Sequence, residues 1–296
     1  MATTIYFATN RVVTNASDPN GGYTSVMVPP LKPQEITYGT AIVDGIDVAT
    51  NAQGVVSEIK DIKQGGFSDP AMATLSNPGT DLLVFIHGFD NTFSDAVSRA
   101  AFNREWLAAS GLPATNTTVV AFSWPSSGRI VGFPVLADPY LADQHMARSS
   151  GLALMSFLAN LEPIIVAARA RGSRVTLLAH SMGNLALQSG VENWFLHGNG
   201  EAIIFDLTIL AAGDARYDGF DFPSPAGLSG LVQLSERVAI YFSRADQVLH
   251  LSMVVNLGAK RLGQDGRITV QIRMPSRPAN SVWWIAPTSA TSSSIS

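Results

Sequence analysis

The stretch VTLLAHSMGNLAL, Val175 to Leu187, runs an apolar segment straight into a serine, a glycine and the start of a helical pattern. A serine at a tight strand-to-helix turn needs small neighbours, and there its hydroxyl stands clear of the backbone. Ser181 lies in AHSMG, with Ala179 and Gly183 at the two places where a G-x-S-x-G turn carries glycine. Alanine is small enough for the first of them. The helix that follows offers unsatisfied N–H groups and the positive end of its dipole, which favour negative charge forming beside the hydroxyl. Small-Ser-Gly turns are common, so the specificity comes from RVTLLAH before the turn and NLALQSGVENW after it. Ser181 is expected to be a nucleophile; the alternative is a crowded structural turn.

Reading outward from this turn, the chain alternates two kinds of segment from Asp81 onward. DLLVFI is a compact apolar run, followed by a glycine turn and SDAVSRAAFNREWLAAS, which has helical spacing with Ser94 as its cap. TTVVAFSW, RVTLLAH, FDLTILAAGD and RVAIYFS are further strand-like runs, with helix-like stretches around 143–171 and 184–197 and at QVLHLSMVVNLG. Such alternation points to the α/β class, a mainly parallel central sheet with helices on both faces. Residues 1–75 are rich in Gly, Pro, Asn and Thr, with strand-like TIYFAT and TYGTAIVDG and no helical spacing. No fixed-period repeat and no clean linker appears, so residues 1–296 read as a single domain. It comprises a strand-rich N-terminal extension (1–75), a core (81–266) and an atypical tail (267–296).

Composition narrows the function. With 46% hydrophobic residues the 296-residue chain can bury a sizeable core, and its net charge of -4, without a long basic block, argues against nucleic acid as a partner. The absence of cysteine excludes disulfides and thiolate sites and fits a reducing, cytoplasmic compartment. The five histidines show no metal-ligand spacing, so neither a metal nor another cofactor is implied. MATTIYFATNRVV lacks the basic start and apolar core of a secretory signal. GLALMSFLANLEPIIVAARA is broken by Asn160, Glu162 and Pro163, whereas a spanning helix needs about 20 nearly uninterrupted apolar residues. It reads as a buried core helix, with no membrane span.

A second signal is VFIHGFDN, residues 84–91, where a strand ends in His-Gly. In an acyl-transfer site an N–H from this earlier strand-to-helix loop works together with the N–H just after the serine to bind a tetrahedral oxyanion. The backbone donors would be Phe89 and Met182. His87 is better read as a brace for that loop than as a base. An acid that orients a histidine is also required, and two aspartates end apolar runs: Asp214 in LTILAAGD and Asp246 in VAIYFSRAD. Asp246 could equally cap the helix QVLHLSMV, and the two roles are compatible. The long segment PSSGRIVGFPVLADPY, 125–140, reads as a lid or pocket wall. Trp124, Phe133 and Tyr140 are candidates to line an acyl pocket or are plain packing.

With VFIHGFDNTFSDAVSRAA, VAFSWPSSG, LLAHSMGN, ILAAGDARYDGF, YFSRADQVLHLS and KRLGQDG in this order, the chain resembles the α/β-hydrolase superfamily. More narrowly it is similar to a bacterial family of uncharacterised α/β hydrolases, labelled as a domain of unknown function or as esterase/lipase-like. The resemblance covers roughly residues 81–266, and YFATNR matches the family's opening strand. It implies a serine esterase acting on a small-molecule carboxylic ester without a cofactor, with Ser181 as nucleophile and Asp246, after the seventh strand of the series, favoured over Asp214 as the acid. Members of the family usually carry the histidine near the C-terminus, in a His-Ser or His-Gln-Tyr context, whereas this chain has none after His250. His250 lies four residues after Asp246, one helical turn on, and is the candidate base; packing near the surface is its alternative. His145, His180 and His197 are weaker candidates. Two rival readings stand beside the esterase: an impaired member of the fold acting as a binding protein, and an acyltransferase.

Past Gly266 the resemblance stops abruptly, which suggests an altered tail from a shifted reading frame. One of the other two frames of the coding DNA is expected to restore a family-like ending with a histidine; finding it in neither would dispose of that reading.

Overall fold

The computed structural model describes residues 2–29, 32–109, 117–127, 137–200, 204–223, 226–266 and 284–285. Phe133, most of the proposed lid and nearly all of the tail lie outside the described residues. Among the described residues the chain opens with β1 (Thr3–Thr9), an antiparallel pair β2 (Arg11–Val13) and β3 (Tyr23–Met27), and a long hairpin, β4 (Thr37–Asp47) with β5 (Ala52–Gln64). The alternating part then runs α1 (Asp69–Ser76), β6 (Leu82–Ile86), α2 (Phe93–Ala109), β7 (Thr118–Ser123), α3 (Ala137–Ser149), α4 (Gly151–Arg169), β8 (Val175–His180) and α5 (Gly183–Leu196). It continues with β9 (Leu207–Ala211), α6 (Leu231–Leu234), β10 (Val238–Tyr241), α7 (Gln247–Val255), α8 (Leu262–Asp265) and β11 (Trp284–Ile285).

Among the described residues a nine-stranded sheet has the order β11-β10-β9-β8-β6-β7-β1-β4-β5. Its pairings are parallel except those made by β4, which alone opposes the other strands. All five residues of β6 are buried, as a strand covered on both faces requires. The period of two then divides the core. Leu82, Val84 and Ile86 of β6, with Val120 and Phe122 of β7 and Leu177 of β8, join the residues of α4 and α5. Leu83, Phe85, Val119 and Ala121 turn to the opposite face, where Phe93, Val97 and Ala101 of α2 meet Ile5 and Phe7 of β1. The parallel strands therefore end together at one rim, from which the loops carrying Gly88, Ser181, Asp214 and Asp246 emerge.

Three local expectations change. The N-terminal region contains a helix after all: α1 is capped by Ser68, whose side chain accepts from the Ala71 N–H, and has Pro70 in its first turn. Its signal was Ser-Asp-Pro, too short a run for apolar spacing to show. The cap of α2 is Thr92 rather than Ser94. Thr92 Oγ1 accepts from the Asp95 N–H at 3.2 Å while the Asp95 carboxylate accepts from the Thr92 N–H at 2.9 Å, a reciprocal capping box. Helical structure expected over 143–171 begins earlier, at Ala137, and is divided at Ser150 into α3 and α4. Residues 1–75 also enter the sheet itself, since β1 lies between β7 and β4 with Ile5, Phe7 and Ala8 fully buried.

Among the described residues α4 is the one helix long and apolar enough, by length and composition, to cross a membrane; half of that stretch is buried inside the protein. The polar breaks in its sequence have structural positions here. Asn160 Nδ2 donates to the Tyr38 hydroxyl of β4 at 2.8 Å, and Pro163 sits on the exposed side. Phe157 is fully buried against Phe122 and Tyr38, with ring centroids 5.3 and 6.5 Å away. Phe157→Ala is expected to cost about 3–5 kcal/mol in urea unfolding; a loss below about 1 kcal/mol would mean that α4 does not pack on the sheet as described.

Candidate active site

Ser181 stands between β8 and α5 with φ of 50°, in the left-handed region that residues with a Cβ rarely enter. The turn is held on both sides of that residue. Its N–H donates to the Ala211 carbonyl at 2.9 Å, and its carbonyl accepts from Asp214 N–H at 3.0 Å, Asn184 N–H at 3.1 Å and Asn184 Nδ2 at 2.9 Å. Asn184 Nδ2 also reaches the Ala179 carbonyl at 3.0 Å, so one buried amide clamps the whole turn. Sequence reading missed Asn184, because an asparagine in the first turn of a helix has no distinguishing pattern.

Two glycines are required by close approach. A Cβ on Gly183 would lie 2.4 Å from the His87 carbonyl oxygen and 2.7 Å from that of Ile86, both backbone atoms that cannot yield. A Cβ on Gly88 would lie 2.8 Å from Ser181 Cβ and 2.9 Å from His180 Nδ1. The end of β6 is thus pressed against the serine turn. This brings together the two loops from which the oxyanion donors were expected. Met182 is fully buried at the N-terminus of α5, and Phe89 sits beside Tyr140 at 5.5 Å between ring centroids. Among the described residues neither the Phe89 nor the Met182 N–H gives a hydrogen bond.

The His87 ring is parallel to Trp124 at 4.9 Å, and its nitrogens face the Gly88 carbonyl (2.8 Å) and the Trp124 carbonyl (3.0 Å). Trp124 Nε1 returns a bond to the His87 carbonyl at 2.8 Å. His87 and Trp124 are therefore braces inside the loop. Burial, followed by the charge of Arg11, lowers the His87 pKa to about 3. Burial and the charge of Arg99 lower that of His180 to about 4, against the opposing charge of Asp246.

The two candidate acids have different surroundings. Asp214 is buried, and its carboxylate accepts from the Tyr140 hydroxyl, from Ser252 Oγ at 2.5 Å and, at 3.4 Å, faces Arg261 Nε. Burial raises its pKa, with Arg261 as the main opposing influence. Its oxygens are spent tying α3, α7 and α8 together. Asp246 is half-buried at the N-cap of α7, where one oxygen accepts from Leu249 N–H at 3.0 Å. Its negative charge opposes the lowering of the His180 pKa and adds, as a minor influence, to the raising of the Asp214 pKa.

His250 lies on α7 one turn beyond Asp246, and its N–H donates to the Asp246 carbonyl at 3.1 Å. The side chains nevertheless diverge. The exposed His250 ring accepts at Nδ1 from Gln264 Nε2 (2.6 Å) and donates from Nε2 to the Arg244 carbonyl (3.1 Å), while Asp246 turns back to cap the helix. Among the described residues no imidazole nitrogen bonds to Ser181 Oγ, and the His250 ring nitrogens are engaged by Gln264 and the Arg244 carbonyl. His145 and His197 are exposed on α3 and beyond α5. Among the described residues no group of three or more His, Asp or Glu is arranged to hold a metal.

Residues 70–285 match the family described as alpha/beta hydrolase of unknown function (DUF900). No curated protein and no solved structure matches the chain.

Because the folded His87 and His180 values lie below 6.5, protonation favours the unfolded chain. Each ring contributes stability above that pH which is lost as the pH falls toward about 3 and about 4, while Asp214, pushed up by burial, acts in the opposite sense. Imidazole NMR signals of both rings should stay constant from pH 8 to 5. A His87 signal with a midpoint near the unperturbed value of about 6.5 would show that the ring is open to water.

Proposed function

Since the chain belongs to this family of α/β hydrolases, we propose that it is a serine esterase that cleaves small carboxylic esters through an acyl-enzyme on Ser181. The observation that carries the reading is the Ser181 turn, held at positive φ next to the Gly88 loop, with N–H groups of Phe89 and Met182 that make no hydrogen bond among the described residues. Attack by Oγ on an acyl carbonyl moves charge onto the carbonyl oxygen. Two preorganised N–H donors stabilise that charge more than they stabilise the neutral ester, so they lower the barrier rather than merely tighten binding. A base takes the Ser181 proton and returns it to the leaving alcohol; water then releases the acid.

In this reading Asp246 orients the base and Asp214 does not, because the Asp214 oxygens are committed to Tyr140, Ser252 and Arg261. His250 is the candidate base, and to act it must leave Gln264 and the Arg244 carbonyl. That commitment favours a second reading, an impaired hydrolase that binds its ligand without turning it over efficiently. An oxyanion hole and binding alone can retain about 10³–10⁴-fold over water, so slow turnover is compatible with either.

Purified protein is expected to hydrolyse p-nitrophenyl butyrate repeatedly, and Ser181→Ala to lose at least about 10³-fold in kcat. A His250→Ala loss of similar size would assign the base. Equal rates for wild type and Ser181→Ala would overturn the esterase reading.

A further inference from the structure

Arg11 closes the run YFATNR and is 1% exposed. Its guanidinium lies among main-chain carbonyls and one hydroxyl. Nε donates to Ser123 Oγ at 3.0 Å, Nη1 to the carbonyls of Ser126 at 3.0 Å and Thr24 at 3.2 Å, and Nη2 to the Asn91 carbonyl at 2.8 Å. Burial lowers its pKa to about 9 despite the opposing charges of Asp143 and Asp95. A buried cation is costly to desolvate, and an apolar side chain would fill the same volume more cheaply. What only the guanidinium supplies is a rigid fork that fixes several acceptors relative to one another.

One of those acceptors belongs to the loop carrying Phe89. The Asn91 N–H donates to Ser126 Oγ at 3.2 Å, and Asn91 Nδ2 donates to the Phe89 carbonyl at 2.6 Å and the Gly88 carbonyl at 3.2 Å. Arg11 therefore grips the main chain of the residue whose side chain grips Gly88. A trans peptide is planar, with its N–H opposed to its C=O. The Gly88 oxygen is held by Asn91 Nδ2 together with His87 Nδ1, at 2.8 Å, and fixing it there fixes the direction of the Phe89 N–H on the other side, at a glycine where a Cβ would lie 2.8 Å from Ser181 Cβ.

We infer that Arg11 is a positioning residue for the oxyanion hole: through Asn91 it holds the Gly88–Phe89 peptide in the orientation that presents the Phe89 N–H to an oxyanion formed at Ser181. The inference rests on the proposed esterase chemistry for its catalytic consequence and on the hydrogen bonds alone for its structural one. Lysine at this place keeps a charge but not the fork, and cannot hold acceptors on β3, after β7 and after β6 at once.

Arg11→Lys and Asn91→Ala are the two variants to compare with wild type, so that the inference does not depend on the folding of either one. Each is expected to lower kcat for p-nitrophenyl butyrate about 10²-fold, the scale for losing one oxyanion donor, with KM changed less than about threefold. In Arg11→Lys the residue-91 amide should exchange with solvent at least about tenfold faster while the slowest amides of α4 keep their rates. A kcat within threefold of wild type in both variants, or losses that accompany faster exchange throughout α4, would overturn the positioning role. Should wild type turn over no ester, the esterase reading fails separately and the amide decides alone. Faster exchange at residue 91 then sustains the loop clamp, and an unchanged rate refutes it.

Discussion

Left-handed backbone at a residue with a Cβ costs roughly 1–2 kcal/mol, and much of the rim of this sheet is arranged around keeping Ser181 there. Hydrogen bonds reach its N–H and carbonyl from Ala211 of the strand beside it, Asp214 of the loop after that strand, and Asn184 of the helix that follows the serine. The bend also brings α5 so close to the end of β6 that positions 88 and 183 have no space for a Cβ. These contacts turn a local strain into a property of the sheet, since the serine turn cannot relax without shifting β6 or β9.

Several of the protein's buried polar side chains also gather at this rim. Apolar packing, which covers both faces of the sheet, is non-directional and cannot choose which way a peptide plane faces. Hydrogen bonds can, because they weaken steeply with misalignment. Asn184 sets the serine turn, His87 and Asn91 set the Gly88 loop, Arg11 braces Asn91, and Asp214 joins α3, α7 and α8 behind the site. Each would be costly to leave unpaired. Acids after neighbouring strands therefore differ in their surroundings: Asp214 is buried among Tyr140, Ser252 and Arg261, whereas the half-buried Asp246 caps α7.

The parts legible in sequence were those carried by short-range pattern. Apolar runs separated by helical spacing announced the α/β sheet, His-Gly and AHSMG marked two of its strand ends, and the breaks at Asn160, Glu162 and Pro163 marked α4 as a core helix. The parts that escaped depend on partners distant in the chain. Arg11 reads as one more residue at the end of a strand, yet its acceptors lie near positions 24, 91, 123 and 126. Asn91 and Asn184 are likewise ordinary residues until their loops meet. The i,i+4 spacing of Asp246 and His250 was read correctly as one helical turn, but side-chain direction follows the competing partners, a backbone N–H for one and Gln264 for the other.

By itself, then, the sequence determined the class of fold and the location of a candidate nucleophile, because period, turn chemistry and small-residue requirements act between near neighbours. Only the tertiary structure decided which aspartate was buried among polar partners, where the His250 ring was held and which side chains bond to the Gly88 carbonyl. Those outcomes are competitions among hydrogen-bonding partners from separate strands and helices, and no stretch of sequence contains more than one of the competitors.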